Sequence, residues 1–98
     1  MEIIKTQNDT SLCLALEGRL DTVTAPELEA ALEASLDGIT ELALDFEKLD
    51  YISSAGLRVL LSAQKRMNRQ GTMVVKNVNA DIKEVFEITG FCDILTIE

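Results

Sequence analysis

The chain has no histidine, one proline, one tyrosine and two cysteines. Without histidine no Ser-His-Asp or Cys-His arrangement can form, and zinc held through imidazole is excluded. Cys13 and Cys92 stand far apart with no CxxC spacing. They are expected as reduced core residues of a cytosolic protein. Neither GxGxxG nor GxxxxGK[ST] occurs, so the glycine-rich loops that cradle nucleotide phosphates are missing. Cations are scarce as well: 9 Lys and Arg face 17 Asp and Glu, for a net charge of -8. Binding to nucleic acid or to an anionic membrane surface needs a basic stripe, and this balance argues against both. No uncharged apolar run approaches the ~18 residues of a membrane span. No basic segment followed by an apolar one opens the chain, so no signal peptide is expected.

What is present is an ordinary globular composition over 98 residues, 47% apolar and 27% charged. A chain of this size makes one domain, expected over 1–98, and buries about 60–70% of its unfolded surface. No linker, repeat or low-complexity stretch divides it. Residues 2–6 and 11–17 pattern as strands around a turn at "QNDT", with Leu12, Leu14 and Leu16 alternating onto one face. Thr24 and Glu27 have capping-box spacing ahead of a helix at about 25–36, with Pro26 tolerated in its first turn. Residues 40–46 alternate Leu42, Leu44 and Phe46 against Glu41, Ala43 and Asp45, as a strand does. A second helix is expected at about 55–69, with Leu57, Leu60, Leu61 and Met67 on its buried side. "TMVVKN" follows as a strand, Asn79 caps a third helix at about 80–89, and "DILTI" at 93–97 is expected as a final strand. The order β-β-α-β-α-β-α-β gives an α/β fold: a mixed β-sheet in two layers, with the helices packed on one face.

One junction asks for explanation. In "LDYISSAGLRVLL" at 49–61, four small residues lie between a strand and a helix. Ser54 in the N-cap position would accept from a first-turn amide, worth about 1 kcal/mol over Ala. Gly56 is a costly choice in a first turn, by about 0.5–1 kcal/mol against Ala, so something must approach closely there. Sites in open α/β sheets form beyond the carboxyl ends of strands, where this serine pair falls. A phosphate on Ser54 would sit over free amides at the positive end of the helix and add about -1.5 to -2 charges to a surface already acidic. The residues thus support two readings, a structural cap and a phosphoacceptor. Asp21 reads as a turn residue ahead of a helix. Asp45 reads first as a solvated strand residue, Lys65, Arg66 and Arg69 as partners of the helix dipole, and Met67 and Met73 as core.

"GRLD" at 18–21, "LALDFEKLDYI" at 42–52, "SSAGLRVLLSAQK" at 53–65 and "GTMVVKNVNADIKEVFEITGF" at 71–91 resemble, in order and over essentially the whole chain, the STAS domain. Within that superfamily the chain is most similar to the stand-alone bacterial anti-sigma factor antagonists. The resemblance implies a non-enzymatic switch with no cofactor and no metal. The unphosphorylated antagonist binds an anti-sigma factor that is also a serine kinase and so releases the sigma factor. The kinase then phosphorylates the antagonist with its own ATP, the complex dissociates, and a serine phosphatase resets it. The family motif, Asp-Ser-[Ser/Thr/Ala]-Gly and an apolar residue, falls on Ser53, Ser54, Ala55, Gly56 and Leu57. Ser54 is then the phosphoacceptor, with Ser53 as second choice. Asp21, Ser53, Ser54, Gly56 and Leu57 are the expected partner-binding residues. Ser53 departs from the motif, which has a carboxylate there. Many relatives carry a further helix after the last strand, and this sequence ends at Glu98. An alternative is a STAS scaffold or sensor in another signalling assembly, or a small-ligand-binding STAS domain.

Overall fold

Alternation decides the sheet. In the computed structural model, which describes all residues 1–98, Leu12, Leu14 and Leu16 on one strand and Leu42, Leu44 and Phe46 on its neighbour all point to one side and are fully buried. The strands are β1 (Glu2–Asn8), β2 (Ser11–Leu20), β3 (Glu41–Ile52) and β4 (Thr72–Lys76). The helices are α1 (Ala25–Ser35), α2 (Ser54–Gln70) and α3 (Ala80–Thr89), followed by a 3₁₀ turn at Phe91–Asp93. The sheet order is β1-β2-β3-β4. β1 and β2 are antiparallel across a tight turn in which Asp9 adopts φ 59°, while β2–β3 and β3–β4 are parallel. Each parallel step goes the same way along the sheet. Crossovers of one hand therefore bring α1 and α2 onto the same face.

That face carries the core. Leu28, Leu32 and Leu36 of the α1 segment and Leu57, Val59, Leu60, Ala63 and Met67 of α2 bury against the strands. Phe86 of α3 meets Phe46, ring centroids 6.4 Å apart. Met73 is buried in the same cluster. The opposite face, with Cys13, Ala15, Ala43, Asp45 and Val74, stays half-exposed. No helix is long and apolar enough to cross a membrane.

Several local expectations are corrected. The final strand at 93–97 is replaced by the 3₁₀ turn and a single parallel bridge from Ile97 to Val75. There Val75 N–H donates to Thr96 O at 2.9 Å and Glu98 N–H to Val75 O at 2.8 Å. Leu61 is half-buried, and Val59, Ala63 and Gln64 take the inner positions beside Leu57, Leu60 and Met67. Cys13 and Cys92 are both free thiols, but half-buried and outside the buried core. Thr24 and Glu27 form no capping box, because Thr24 Oγ1 accepts from Asp21 N–H behind it, while its hydroxyl donates to Arg19 O at 2.7 Å. The box lies one turn earlier. Asp21 N–H donates to Thr24 Oγ1 at 2.8 Å, and Thr24 N–H donates back to Asp21 Oδ1 at 3.1 Å.

Candidate functional site

The carboxyl ends of β2 and β3 run side by side, with Arg19 opposite Tyr51 and Leu20 opposite Ile52. The next residue, Ser53, donates its N–H to Leu20 O at 2.9 Å. This bond fixes the start of α2 beside the turn that leads into α1. Ser53, not Ser54, is the N-cap residue, with extended backbone at φ -102° and ψ 176°. Its side chain makes no capping bond, and its Oγ is buried without a partner. Ser54 is the first helical residue and is exposed. The helical ladder begins when Leu57 N–H donates to Ser53 O at 3.0 Å, so the amides before Leu57 precede it.

Gly56 explains the small-residue run. A Cβ added there would lie 2.7 Å from Leu20 Cγ and 2.9 Å from Ile52 Cγ1, closer than side chains tolerate. The ends of β2 and β3 press directly on the first turn of α2, and only glycine fits. Leu57 is 7% exposed and belongs to the core cluster, so its side chain does not reach a partner. Helical phase turns it inward while Arg58, the next residue, is exposed. Of the residues expected to bind a partner, Ser54 and Asp21 reach the surface, while Gly56 and Leu57 set the shape beneath them.

Asp21 sits in the adjacent turn. Its Oδ1 accepts from Val23 N–H at 3.0 Å and from the Thr24 hydroxyl at 3.3 Å, besides the Thr24 amide. The Thr24 amide holds the Asp21 carboxyl below the usual range. The Val23 amide, the Thr24 hydroxyl and the Arg19 guanidinium, 3.8 Å away, act in the same direction against the opposing effect of desolvation. Asp21 is thus a charged capping residue beside the serine junction. Asp45 is elsewhere, on the half-exposed sheet face. It accepts from Asn77 Nδ2 and from Glu47 N–H, both at 3.0 Å, and the Asn77 bond leads the lowering of its pKa.

The sequence reading missed the surroundings of Ser54. Val23 is 82% exposed and Tyr51 is 41% exposed, two apolar bodies flanking the junction. The Arg19 guanidinium lies over the Tyr51 ring, 4.2 Å from its centroid. A shallow groove between α1 and α2 starts at this junction, lined by Thr22, Pro26, Glu29, Ala55, Arg58 and Ser62. A "GRL" and a "DYI" ending on adjacent parallel strands are the sequence signal that brings Arg19 and Tyr51 together. Arg66 is bound elsewhere, donating to Asp37 Oδ1 at 2.7 Å. No three Cys, Asp or Glu side chains converge as a set that could hold a metal ion.

A strand-end serine exposed on the first residue of a helix, in a two-layer sheet of this order, defines a class. The STAS domain family model matches residues 2–98, and the chain belongs to that family. It is 39% identical over 99% of its length to BtrV of Bordetella bronchiseptica, described as a candidate anti-sigma factor antagonist, covering 85% of that protein. It is 33% identical over 97% of its length to the anti-sigma-B factor antagonist of Listeria monocytogenes, again covering 85% of that protein. Its fold matches that of the anti-sigma factor antagonist SpoIIAA in two forms. The TM-score is 0.78 for the unphosphorylated form, at 16% identity over 99% of this chain and 87% of that one. It is 0.77 for the phosphorylated form from Bacillus, at 17% identity over 99% and 91%. These relatives are regulatory proteins rather than enzymes.

Proposed function

We propose that residues 1–98 form a single STAS module that acts as an anti-sigma factor antagonist inside the cell and is switched by phosphorylation at Ser54. The observation that carries this reading is the placement of Ser54. It is exposed, it opens α2, and it precedes amides that the helix leaves free, while Gly56 and Leu57 hold the turn rigid from below. An exposed hydroxyl with small neighbours is open to a kinase, and a helix N-terminus is where a phosphate is accepted without unfolding. The exposed residues of the neighbouring strand ends and turn, Asp21, Val23 and Tyr51, are the ones we assign to the docking surface for an anti-sigma factor with serine kinase activity. Phosphate adds about -1.5 to -2 charges to that surface, and a penalty of about 3 kcal/mol lowers affinity about a hundredfold. A serine phosphatase restores the binding form. The module itself carries out no catalysis and uses no cofactor.

Two measurements test the reading. Incubation with the cognate anti-sigma kinase and ATP should place one phosphate on Ser54, located by mass spectrometry and abolished in Ser54→Ala. Phosphate found on Ser53 instead, or retained in Ser54→Ala, would overturn the assignment. In a titration calorimetry series Ser54→Asp should bind the kinase about a hundredfold more weakly than the unmodified protein while melting cooperatively. Equal affinity would remove the electrostatic basis of the switch.

A further inference from the structure

The structure assigns Arg58 a part in the switch: it is the positioning residue that holds the phosphate once Ser54 is modified, an inference resting on Ser54 as the phosphoacceptor. Both residues are exposed on α2 and stand four apart, so their Cβ atoms lie about 5–6 Å from one another on one face. Arg58 is also unengaged. The ion pairs of the protein are Arg19–Asp21, Lys48–Glu17 and Arg66–Asp37, and Arg58 takes part in none of them. The sequence explains why. Its helical neighbours three and four residues away are Ala55, Leu61, Ser54 and Ser62, with no carboxylate among them. In a chain with 17 acidic residues, the cation one turn beyond Ser54 is left without an acid on its own helix.

The remaining cations are less suited. Arg19 is held over the Tyr51 ring and beside Asp21. Arg69 lies at the far end of α2, about 22 Å from Ser54 at the helical rise. Across the groove from Arg58 stands one carboxylate, Glu29, which makes no ion pair with it. A phosphate on Ser54 would therefore meet the free first-turn amides on one side and the Arg58 guanidinium on the other. Guanidinium–phosphate bonds are charge-assisted and can be bidentate. The group would lie down along α2 instead of extending into solvent, with Glu29 across the groove as the titratable neighbour that shares its lining with Arg58.

The test installs phosphoserine at position 54 during translation, by an expanded genetic code, and follows its second ionisation by ³¹P NMR titration. In the otherwise wild-type chain this ionisation should fall below the ordinary phosphoserine value of about 6. Arg58→Ala should raise it by about half a unit, roughly a threefold change in proton affinity. Arg58→Lys should recover part of the shift, and Arg69→Ala should leave it unchanged. An Arg58→Ala titration that superimposes on the wild type overturns the inference. Unmodified Arg58→Ala should melt with the wild type, since its side chain is exposed and makes no ion pair. Because the phosphate is introduced without a kinase, a negative result here leaves the phosphoacceptor assignment standing. Failure of a kinase to modify Ser54 would remove that assignment without altering this titration.

Discussion

Two helices of this protein begin in opposite ways. At α3 the Asn79 side chain uses both its ends: Oδ1 accepts from Ile82 N–H at 2.8 Å, and Nδ2 donates to Leu49 O at 3.0 Å. One residue closes the helix terminus and ties it to the end of β3. At α2 the residue in the same position, Ser53, turns its oxygen into the interior, where nothing meets it, and caps nothing. The start of α2 is held instead by backbone and by packing, through the Ser53 amide to Leu20 O and the contact of Gly56 with Leu20 and Ile52. A side-chain cap stabilises a helix but occupies the amides an incoming anion would use. The difference separates a terminus closed by a side chain from one whose first amides no side chain occupies.

The comparison is broken most directly at α3. Asn79→Ala removes the cap and leaves the Leu49 carbonyl without its donor, at a cost of about 2 kcal/mol. In a domain of this size that lowers Tm by about 10 °C, readable by circular dichroism. Ser53→Ala should do far less. An N-cap serine ordinarily costs about 1 kcal/mol to remove, but here the hydroxyl is buried and unpaired, so unfolding free energies from urea titration should agree within about 0.5 kcal/mol. A loss as large as that of Asn79→Ala would show that Ser53 caps α2 in solution. The smallest effect belongs to the third helix start. The folded-state pKa of Asp21 is lowered, so its contribution is complete above the unfolded aspartate value of about 3.9 and is lost as pH falls through the folded value. Asp21→Asn should keep the acceptor oxygen yet flatten the fall of Tm below about pH 4. The fall should not vanish, because Asp45 titrates in the same direction. An unchanged slope would show that the Asp21 carboxylate gains nothing from the turn.

These starts also mark how far the residues can be read in advance. Strand β2 follows from period-two spacing, β1 and β4 from short apolar runs bounded by turn residues, and all three helices from helical spacing, and the Asn79 cap is plain because one polar residue stands before one apolar face. "LDTVTAPE" is harder: Asp21–Thr24 and Thr24–Glu27 share the same three-residue spacing, and only the path of the chain leaving β2 selects the first. β3 runs past Phe46 because two register shifts move its inward residues from a spacing of two to a spacing of three, at Leu49 and Ile52. Alternation alone ends the strand too early. The last apolar run, "DILTI", has strand-like composition, yet only the edge of β4 is available to it, and a single bridge results. At the site, the junction and its exposed serine were legible from composition. Leu57 on the buried side was legible from helical spacing, but which serine occupies the cap depends on where the helix begins, and one residue of phase reverses it.

The strand order itself has a consequence for how the molecule comes into being. Each strand lies beside the one made just before it, so no part of the sheet has to wait for a distant segment of chain. Synthesis proceeds at about 5–20 residues per second, slowly enough for neighbouring strands to pair as they emerge. By the time residue 53 leaves the ribosome, the strand ends that will press on Gly56 are available to one another. The surface around Ser54 is then assembled on a template already in place, and the later helices and β4 complete the core beneath it.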